Sequence, residues 1–410
     1  MRSLKIVVIG GGAAGFFGAI AAAEANPQAE VILIEASRQP LAKVLISGGG
    51  RCNVTHACFS PEELVQNYPR GSKALRGAFT RFQAKDTVAW FTSHGVQLKT
   101  EADGRMFPIT DRSETIAECL IKTMAETGVE LRLGTPVSAV KRLDIGNFAI
   151  ICKSGEKIEC DRLLLATGSS LVGYKIAREL GHQIETPVPS LFTFNIKEPQ
   201  LHKLSGISVN PVHLRLSTGE KTQLQQTGAL LITHWGVSGP AVLKLSAWGA
   251  RMLQENRYQG KLLINWLPNF KQEEVREKIL NVKQEFGKKQ IALHRGVDLP
   301  HRLWQYLIDR AGINTTDKWA EISNKTLNQL IQELTQGTYL ISGKGVFKEE
   351  FVTCGGVNLK EVNFKTMESR IVPGLHFAGE ILDIDGITGG FNFQSAWTTA
   401  YLAGQAMGNN

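Results

Sequence analysis

Three glycines near the amino terminus have the spacing that binds a dinucleotide. Gly10, Gly12 and Gly15 form a GxGxxG pattern between an apolar run and an alanine-rich segment, and Glu35 ends the next apolar run. In this pattern the first glycine turns the chain, the second lets backbone amides approach a pyrophosphate, and the third packs a helix against a strand. Glu35 would accept hydrogen bonds from ribose hydroxyls and repel a 2′-phosphate. The pattern therefore favours FAD or NAD over NADP.

Two later segments favour FAD over NAD. An apolar run that ends in Ala166, Thr167 and Gly168 resembles the segment that many two-domain FAD enzymes place beside the cofactor. Residues 374–380 resemble the strand whose terminal acid holds the ribityl chain of FAD. The last helix, predicted over about 391–406, would aim its amino terminus at the N1/O2 edge of the flavin and stabilise the negative charge that develops there on reduction. An NAD dehydrogenase needs no such return of the chain.

Three side chains are candidates for the chemistry that a flavin does not itself supply. His234, in the segment THWGVSGP, is either a proton donor or a structural residue of a turn whose helix begins at Pro240. Arg51 could stabilise an anionic flavin or a substrate carboxylate, although a pyrophosphate contact is favoured. Arg105 could face a substrate, although an ordinary loop position is favoured.

The cysteines do not indicate a redox disulfide. Cys52 and Cys58 follow the first βαβ unit as the redox pair of the disulfide reductases does, but five residues separate them here instead of four. On a helix the added residue turns the second sulfur about 100° further round. The chain also has no second GxGxxG pattern, no CxxC pair and no zinc pattern. Two inert thiols and a reducing, cytoplasmic compartment are the favoured interpretation.

Composition and charge limit the classes of function. With 43% hydrophobic and 20% charged residues, the 410-residue chain has the composition of a soluble protein of two or three domains. The uncharged run over 6–23 contains too many glycines for a membrane span. A net charge of +8 suits an anionic ligand but is too small to argue for nucleic-acid binding. The basic stretch from Arg70 to Lys85 is interpreted as a solvated helix face, with a docking surface for a phosphate-bearing partner as the alternative.

The predicted elements form an α/β domain of the Rossmann type that is interrupted by an insertion. Strands over 4–9 and 30–35 and a helix over 13–25 make a βαβ unit. Further helices are predicted over 84–94 and 113–127, and strands over 130–133, 136–142, 148–153 and 162–166. After residue 181 the pattern changes to antiparallel β structure, then to short amphipathic helices over 271–336. The predicted domains are 1–188 and 346–410 for FAD binding and 189–345 for the insertion, barrel-like over about 189–265 and helical over about 266–337.

Four long motifs resemble one known family. They are KVLISGGGRCNVTH at 43–56, THWGVSGP at 233–240, TCGGV at 353–357 and FAGEILDIDGITGGFNFQ at 377–394. Together they are similar to the YhiN/BaiN-like FAD-binding proteins, whose members are labelled NAD(P)/FAD-dependent, aminoacetone-oxidase-like or bile-acid enone reductases. The resemblance covers nearly the whole chain. It implies a two-dinucleotide-binding-type FAD domain, related to the fumarate-reductase flavoproteins, with a small β-barrel and a helical subdomain inserted. Cys354 departs from the family, which has small or polar residues there.

The resemblance also implies which residues bind the cofactor. The ADP half would lie on Gly10, Gly12, Ala13, Ala14, Gly15, Glu35 and Ala36. The pyrophosphate and flavin would lie near Lys43, Arg51, Cys52 and Asn53. The adenine would touch the backbone at Val137, and Ala166, Thr167 and Gly168 would line the cofactor. Gly379 and Glu380 would hold the ribityl and pyrophosphate groups, with Asn392, Phe393 and Gln394 at the flavin ring.

The function predicted from these features is that of an FAD-dependent oxidoreductase. It would pass a hydride through flavin N5 from NADH or NADPH to an activated double bond or a quinone-like small molecule. Because no second dinucleotide fold is present, the reductant would dock only transiently. Three alternatives stay open: an oxidase of a small organic amine or ketone, a flavoprotein that acts on RNA, and a flavin redox sensor without turnover. Nucleic acid is disfavoured as a partner, and no metal is predicted.

Overall fold

The computed structural model describes residues 3–143, 147–219, 223–345 and 352–409. The chain divides into two compact units. The first unit comprises Met1–Val188 and Val352–Asn410, and the second comprises Pro189–Phe351.

The first segment of the chain alternates strands and helices. Its strands are β1 Lys5–Ile9, β2 Glu30–Ile34, β3 Thr55–His56, β4 Leu98–Thr100, β5 Arg105–Pro108, β6 Glu130–Arg132, β7 Val137–Arg142, β8 Phe148–Cys152, β9 Lys157–Cys160, β10 Arg162–Leu165 and β11 Ile184–Ser190. Its helices are α1 Ala13–Ala25, α2 Ala42–Gly50, α3 Pro61–Leu64, α4 Ser72–Phe79, α5 Ala84–Ser93, α6 Glu114–Glu126 and α7 Leu171–Glu179.

The second unit and the returning segment complete the chain. The second unit contains β12 Phe194–Ile196, β13 Ser208–Ser217, β14 Gln223–Thr233, β15 Gly236–Ser238, β16 Gly260–Asn265, β17 Gly337–Lys344, α8 Pro199–His202, α9 Pro240–Trp248, α10 Ala250–Glu255, α11 Gln272–Glu285, α12 His301–Arg310 and α13 Asn324–Gln336. The returning segment contains β18 Val352–Val357, β19 Val362–Asn363, β20 Glu368–Ser369, β21 Leu375–Phe377 and α14 Phe391–Asn409.

The central sheet of the first unit has the order β19-β20-β21-β10-β1-β2-β6. Strand β1 pairs in parallel with β2 and β10, β10 with β21, and β2 with β6. Ile6, Val7 and Val8 are wholly buried, which explains why β1 is an unbroken apolar run and not an alternating one. This sheet confirms the predicted Rossmann-like domain.

Helices α1 and α14 cross at very short range. A Cβ built on Gly404 of α14 would lie 2.5 Å from the carbonyl oxygen of Gly18 in α1 and 2.6 Å from the Cβ of Ala21. Only glycine lets the two backbones approach so closely. The small residues of α1 therefore fix the last helix of the chain against the first βαβ unit.

The second unit is built on a closed barrel of β12, β15, β14, β13, β16 and β17. Along β13, Val212, Leu214 and Leu216 are buried, whereas His213 and Arg215 between them are half-buried. This alternation places one face of each strand in the barrel interior. The barrel confirms the predicted β structure of the insertion, and α11, α12 and α13 cover the predicted helical part.

The uncharged run near the amino terminus is divided between β1 and α1. Within the described ranges, no helix combines the length and the apolar composition that a bilayer crossing needs.

Candidate cofactor site

The turn between β1 and α1 is packed so tightly that two of its positions admit only glycine. Gly10 has a φ of 114° and donates its N–H to the Ile34 carbonyl at 2.8 Å. A Cβ there would lie 2.4 Å from the Ala166 carbonyl oxygen. A Cβ on Gly15 would lie 1.7 Å from the Gly10 carbonyl oxygen. The first and third glycines of the motif therefore hold α1 against the sheet.

Gly12 has a different environment. It is the N-cap of α1, no side chain caps the helix, and a Cβ built there meets no protein atom within 4 Å. The amides of the first turn of α1, including those of Ala13 and Ala14, have no acceptor inside the helix. They carry partial positive charge at an open surface, which is the arrangement that binds a phosphate group.

Glu35 is fixed at the other side of this turn. Its Oε2 accepts the N–H of Gly11 at 2.6 Å, and its Oε1 accepts the N–H of Ser37 at 2.7 Å. Each carboxylate oxygen can accept a further hydrogen bond, so ribose hydroxyls can bind while the backbone holds the carboxylate in place. The neighbouring Ala36 is exposed.

Three consecutive glycines form a second backbone cradle. The helical turn of α2 stops at Ser47, and Gly48, Gly49 and Gly50 follow with φ values of 58°, 69° and 83°. Cβ atoms on Gly49 and Gly50 would meet nothing within 4 Å. The loop therefore presents bare backbone on one side, as a loop that cradles an anion does.

Asn53, three residues after Gly50, joins this loop to α14. With its amide oriented so that the nitrogen faces the Thr55 carbonyl at 3.0 Å, the Asn53 oxygen accepts the N–H of Gly390 at 2.9 Å. Gly390 itself has a φ of 93°, and a Cβ there would lie 2.5 Å from the Thr55 carbonyl oxygen. The glycine loop and the start of α14 are thereby held together.

A third contact joins segments from the two ends of the chain. Lys43 Nζ lies 2.6 Å from Glu380 Oε2, and Glu380 Oε1 accepts the N–H of Thr353 at 2.8 Å. A Cβ on Gly168 would lie 3.6 Å from Glu380 Oε2, and Gly379 has a φ of 75°. The structure thus brings together four predicted residues, Lys43, Gly168, Gly379 and Glu380, that come from three separate motifs.

Thr167 carries a hydroxyl that lacks a partner within the described part of the chain. Its Oγ1 is buried and neither donates nor accepts a hydrogen bond among the described residues. A Cβ on Gly173 of α7 would lie 1.8 Å from this Oγ1, so α7 packs directly on the hydroxyl. A buried hydroxyl without a partner is costly. The accessible groups of the site are the open backbone at Gly12, Gly49 and Gly50, and these fit the phosphates of a dinucleotide such as FAD.

The first turns of α14 use their side chains inside the protein. Asn392 accepts the N–H of Gly386 at 2.8 Å and donates to its carbonyl at 2.9 Å. Gln394 is wholly buried; its Oε1 accepts the Thr55 hydroxyl at 2.6 Å, and Phe393 stacks on Trp397 at 5.6 Å. The predicted contacts of these three side chains with a flavin ring stay predictions. What α14 leaves available at its amino terminus is backbone.

Arg51 and Arg105 belong to one electrically balanced cluster. Both guanidinium groups pair with Glu101, at 2.6 Å and 2.9 Å, and Arg51 lies 4.0 Å over the centre of the Phe107 ring. Asp111 pairs with Arg51 at 3.5 Å, and its hydrogen bond from Lys99 lowers the pKa of the Asp111 carboxyl. Arg105 also pairs with Asp103.

The same cluster supports the glycine loop. A Cβ on Gly48 would lie 3.0 Å from the Phe107 ring, on which Arg51 stacks. Three cations therefore face three carboxylates beside the loop, and neither arginine carries an uncompensated charge. The catalytic roles of Arg51 and Arg105 stay predictions.

His234 lies in the second unit, on the turn between β14 and β15. It is exposed, and its ring centre lies 6.0 Å from that of Trp235. The predicted helix start is confirmed, because Gly239 caps α9 and Pro240 is its first residue. In the first unit, Val137 begins β7 and pairs with Cys152 of β8. Its contact with an adenine stays a prediction.

The thiols predicted to be inert form no disulfide, and burial disfavours their ionisation. Cys52 is wholly buried with a φ of 58°, and burial raises the pKa of its thiol to about 12. Burial also raises the pKa of Cys58. A thiolate is the reactive form, so neither residue has the acidity of a redox cysteine. Cys354 is buried within β18.

Sequence reasoning missed the residues that clamp the loop before α14. Arg70 forms a two-pronged ion pair with Asp385, which is wholly buried, and the Tyr68 hydroxyl donates to the Phe391 carbonyl at 2.6 Å. Both Asp385 and Phe391 stand in the motif at 377–394. An acid inside a segment otherwise rich in apolar residues and glycine was the signal that could have revealed the pair.

Known proteins resemble this chain over almost its whole length. The family described as HI0933-like protein Rossmann domain matches residues 4–406. The chain is 31% identical, over 98% of both proteins, to a 3-dehydro-bile acid delta(4,6)-reductase of Clostridium scindens. It is also 31% identical to a ribosomal RNA dihydrouridine synthase of Escherichia coli, over 99% of this chain and 98% of that one.

Two solved structures share the fold. One is a 3-ketosteroid delta1-dehydrogenase from Sterolibacterium denitrificans, with a TM-score of 0.53, 12% identity and full coverage of both chains. The other is the FrdA chain of the E. coli quinol fumarate reductase, with a TM-score of 0.51 and 14% identity over 99% of this chain and 70% of that one. The chain therefore belongs to the HI0933-like Rossmann-domain family, as its motifs predicted, and is an FAD-dependent oxidoreductase.

Proposed function

We propose that this chain reduces a carbon–carbon double bond conjugated with a carbonyl group, using NADH or NADPH as the source of electrons. The observation that carries the proposal is the chemistry shared by its near full-length relatives. A delta(4,6) bond system in a 3-dehydro bile acid is conjugated with the 3-oxo group. Dihydrouridine differs from uridine by saturation of the C5=C6 bond, which is conjugated with the C4 carbonyl. One reaction type therefore accounts for both names.

The residues of the first unit would bind the cofactor as follows. Glu35 would accept hydrogen bonds from the ribose hydroxyls, and the amides at Gly12 and Ala13 would face the pyrophosphate. Glu380 is held by Lys43 and by the Thr353 amide, so its carboxylate would be oriented before the cofactor binds. FAD supplies two-electron transfer between donor and acceptor when it is bound.

Reduction of a conjugated double bond also needs a proton and a group that holds the carbonyl oxygen. His234 is our candidate for the proton, because its imidazole is exposed and makes no hydrogen bond to any described residue. Arg105 is our candidate to hold the carbonyl oxygen, because its side chain is the more exposed of the two that share Glu101, at 38% against 33%. A substrate oxygen would compete with Glu101 and Asp103 for its N–H groups.

An anaerobic titration tests the reductive half of this function. Protein loaded with FAD is titrated with NADH and then with NADPH while the visible flavin band is recorded. We expect the band to bleach with at least one of the two nucleotides. A band that only dithionite bleaches would overturn the proposed reductant and favour an oxidase with an organic donor.

The oxidative half is tested on the reduced protein. Addition of a 3-oxo-delta(4) steroid or of cyclohexenone should restore the flavin band without oxygen. His234→Gln should bleach at the parent rate and recover at least about tenfold more slowly, as loss of a general acid predicts. Recovery at the parent rate would exclude His234 as the proton donor.

A further inference from the structure

The stretch between Arg70 and Asp86 forms a basic face on the first unit. We define the α4 basic face by Lys73 and Arg76 of α4, Arg81 of the following turn and Lys85 of α5, all of which are exposed. No acidic residue stands between positions 71 and 85. Lys73 and Arg76 are one turn apart, so their side chains leave the same side of the helix.

The cations of this face are uncompensated, unlike one lysine in each of two other helices of the unit. Lys122 pairs with Glu126 in α6 at 3.7 Å, and Lys175 pairs with Glu179 in α7 at 3.6 Å. Over the ranges that the structure describes, none of the four cations of the α4 basic face lies within 4.0 Å of a carboxylate. Like charges at this spacing repel one another. An anionic ligand would relieve that repulsion.

Further positive charge adjoins the face from the returning segment. Arg81 donates a hydrogen bond to the carbonyl of Lys365, whose side chain is exposed. The basic surface therefore extends beyond α4 and α5 and consists of cations from two distant parts of the chain. A run of spaced cations fits a polymer of phosphates better than a single small anion.

The same segment is attached to the loop that leads into α14. Arg70 pairs with the buried Asp385, and a Cβ on Gly71, which immediately precedes α4, would lie 2.6 Å from Ile384. The α4 basic face therefore begins where the chain contacts the loop before the amino terminus of α14. A polymer bound on this face would pass beside the part of the unit that we assign to the flavin.

We propose that the α4 basic face binds the sugar–phosphate backbone of single-stranded RNA and so presents a uracil base for reduction. This inference rests on the proposed function, because uracil is a substrate only if the chain reduces conjugated double bonds. A lipid surface fits less well. Leu75 and Phe79, the two large apolar residues of α4, are wholly buried, so the helix offers no large apolar side chain for insertion into a bilayer.

A charge-neutralising pair of variants tests the surface. The parent, Lys73→Gln/Arg76→Gln and the control Lys122→Gln/Lys175→Gln are titrated against a fluorescent oligouridylate of about 20 nucleotides. Both double variants lose the same charge, but the control removes lysines that are already paired. Four phosphate contacts on single-stranded RNA predict that affinity falls about 50-fold between about 50 and about 200 mM salt. With two contacts left, the fall should be about 7-fold.

The outcomes separate the surface from the reaction. The proposal that this face binds RNA is overturned if the salt dependence of RNA affinity is unchanged in Lys73→Gln/Arg76→Gln, or if it is equally reduced in the control. If the protein binds phosphatidylserine vesicles and not RNA, the proposal that RNA is the partner is wrong. The reduction of cyclohexenone is measured on the same proteins and should be equal in all three. If cyclohexenone is not reduced by any of them, the proposed function fails, while the RNA titration still decides the surface.

Discussion

Gly12→Ala separates the binding of the cofactor from the stability of the fold. Gly12 has a φ of −90°, which alanine adopts freely, and a Cβ there meets no protein atom within 4 Å. The unfolding free energy of the cofactor-free protein should therefore stay within about 0.5 kcal/mol of the parent or rise slightly. The added methyl group points into the space where the motif brings the pyrophosphate to the backbone.

The loss of cofactor affinity follows from the hydrogen bonds at that point. A phosphate that has to retreat from the methyl group loses at least one charge-assisted bond from an amide, worth about 1.5–3 kcal/mol. The Kd for FAD should then rise about 10- to 100-fold. Quenching of FAD fluorescence measures the Kd, and a thermal melt of the cofactor-free protein measures its stability.

Gly15→Ala is the matched comparison, because it adds the same methyl group where there is no space. Its Cβ would lie 1.7 Å from the Gly10 carbonyl oxygen, half of an ordinary contact of 3.4 Å. Overpacking of this kind costs about 1–3 kcal/mol or more, so stability and FAD binding should fall together. The reasoning is refuted if Gly12→Ala binds FAD as the parent does, or if it lowers the melting temperature as Gly15→Ala does.

Three further changes test the packing and the titration of buried groups. Gly404→Ala places a Cβ 2.5 Å from a carbonyl oxygen of α1 and should lower the unfolding free energy by about 1–3 kcal/mol, whereas Gly77→Ala on the open side of α4 should raise it by about 0.5–1 kcal/mol in denaturant titrations. Burial lowers the pKa of His376 to about 4, so the folded state resists protonation and the unfolding free energy should fall by about 3 kcal/mol as the pH drops from about 6.5 to about 4; denaturant titrations of His376→Gln should lose most of this fall. Iodoacetamide at neutral pH should modify Cys58 before Cys52, whose thiol has a pKa of about 12, and mass spectrometry of the folded protein would contradict this if Cys52 reacted first.

Elements with a strong local pattern could be predicted closely. The structure has α1 at Ala13–Ala25, the range predicted, because an alanine-rich run between Gly12 and Asn26 leaves little choice of boundary. The last helix was predicted to end near residue 406 and continues to Asn409. In the sequence, Gly404 and Gly408 look like the signal that ends a helix. Packing against α1 keeps them helical.

Elements without such a pattern were missed or, like α4 within the basic stretch from Arg70 to Lys85, were predicted as helix without bounds. α4 has a polar and a buried side, but it spans only Ser72–Phe79. The glycines just before it and within it are more typical of a loop than of a helix. α2 is interrupted by residues in left-handed conformation, which no helical periodicity describes. Short elements of this kind are stabilised by tertiary packing and not by propensity, so a single sequence carries little signal for them.

The site was predictable where its residues are neighbours in the sequence and unpredictable where they meet in space. Gly10, Gly12 and Gly15 act within one turn, and their spacing alone identifies their roles. The ion pair of Lys43 with Glu380 spans 337 positions, and nothing local in either motif indicates the partner. The hydrogen bond from the Gly390 N–H to the Asn53 side-chain oxygen joins residues that are equally remote in the sequence. The motifs predicted the candidate residues one by one, and the fold decided which of them touch.

The backbone groups that hold the cofactor limit which residues can distinguish one substrate from another. At the amino terminus of α14, the side chains of Asn392 and Gln394 are bound within the protein, which leaves backbone amides for the ligand. Backbone amides and glycine turns hold a dinucleotide in the same way whatever the second substrate is. A steroid and a ribosomal RNA can thus be named as substrates of relatives that are equally similar to this chain. Residues that distinguish such substrates must lie outside the backbone contacts to the cofactor. The uncompensated cations of the α4 basic face are a surface where RNA, with one charge per phosphate, would gain more affinity than a bile acid with its single carboxylate.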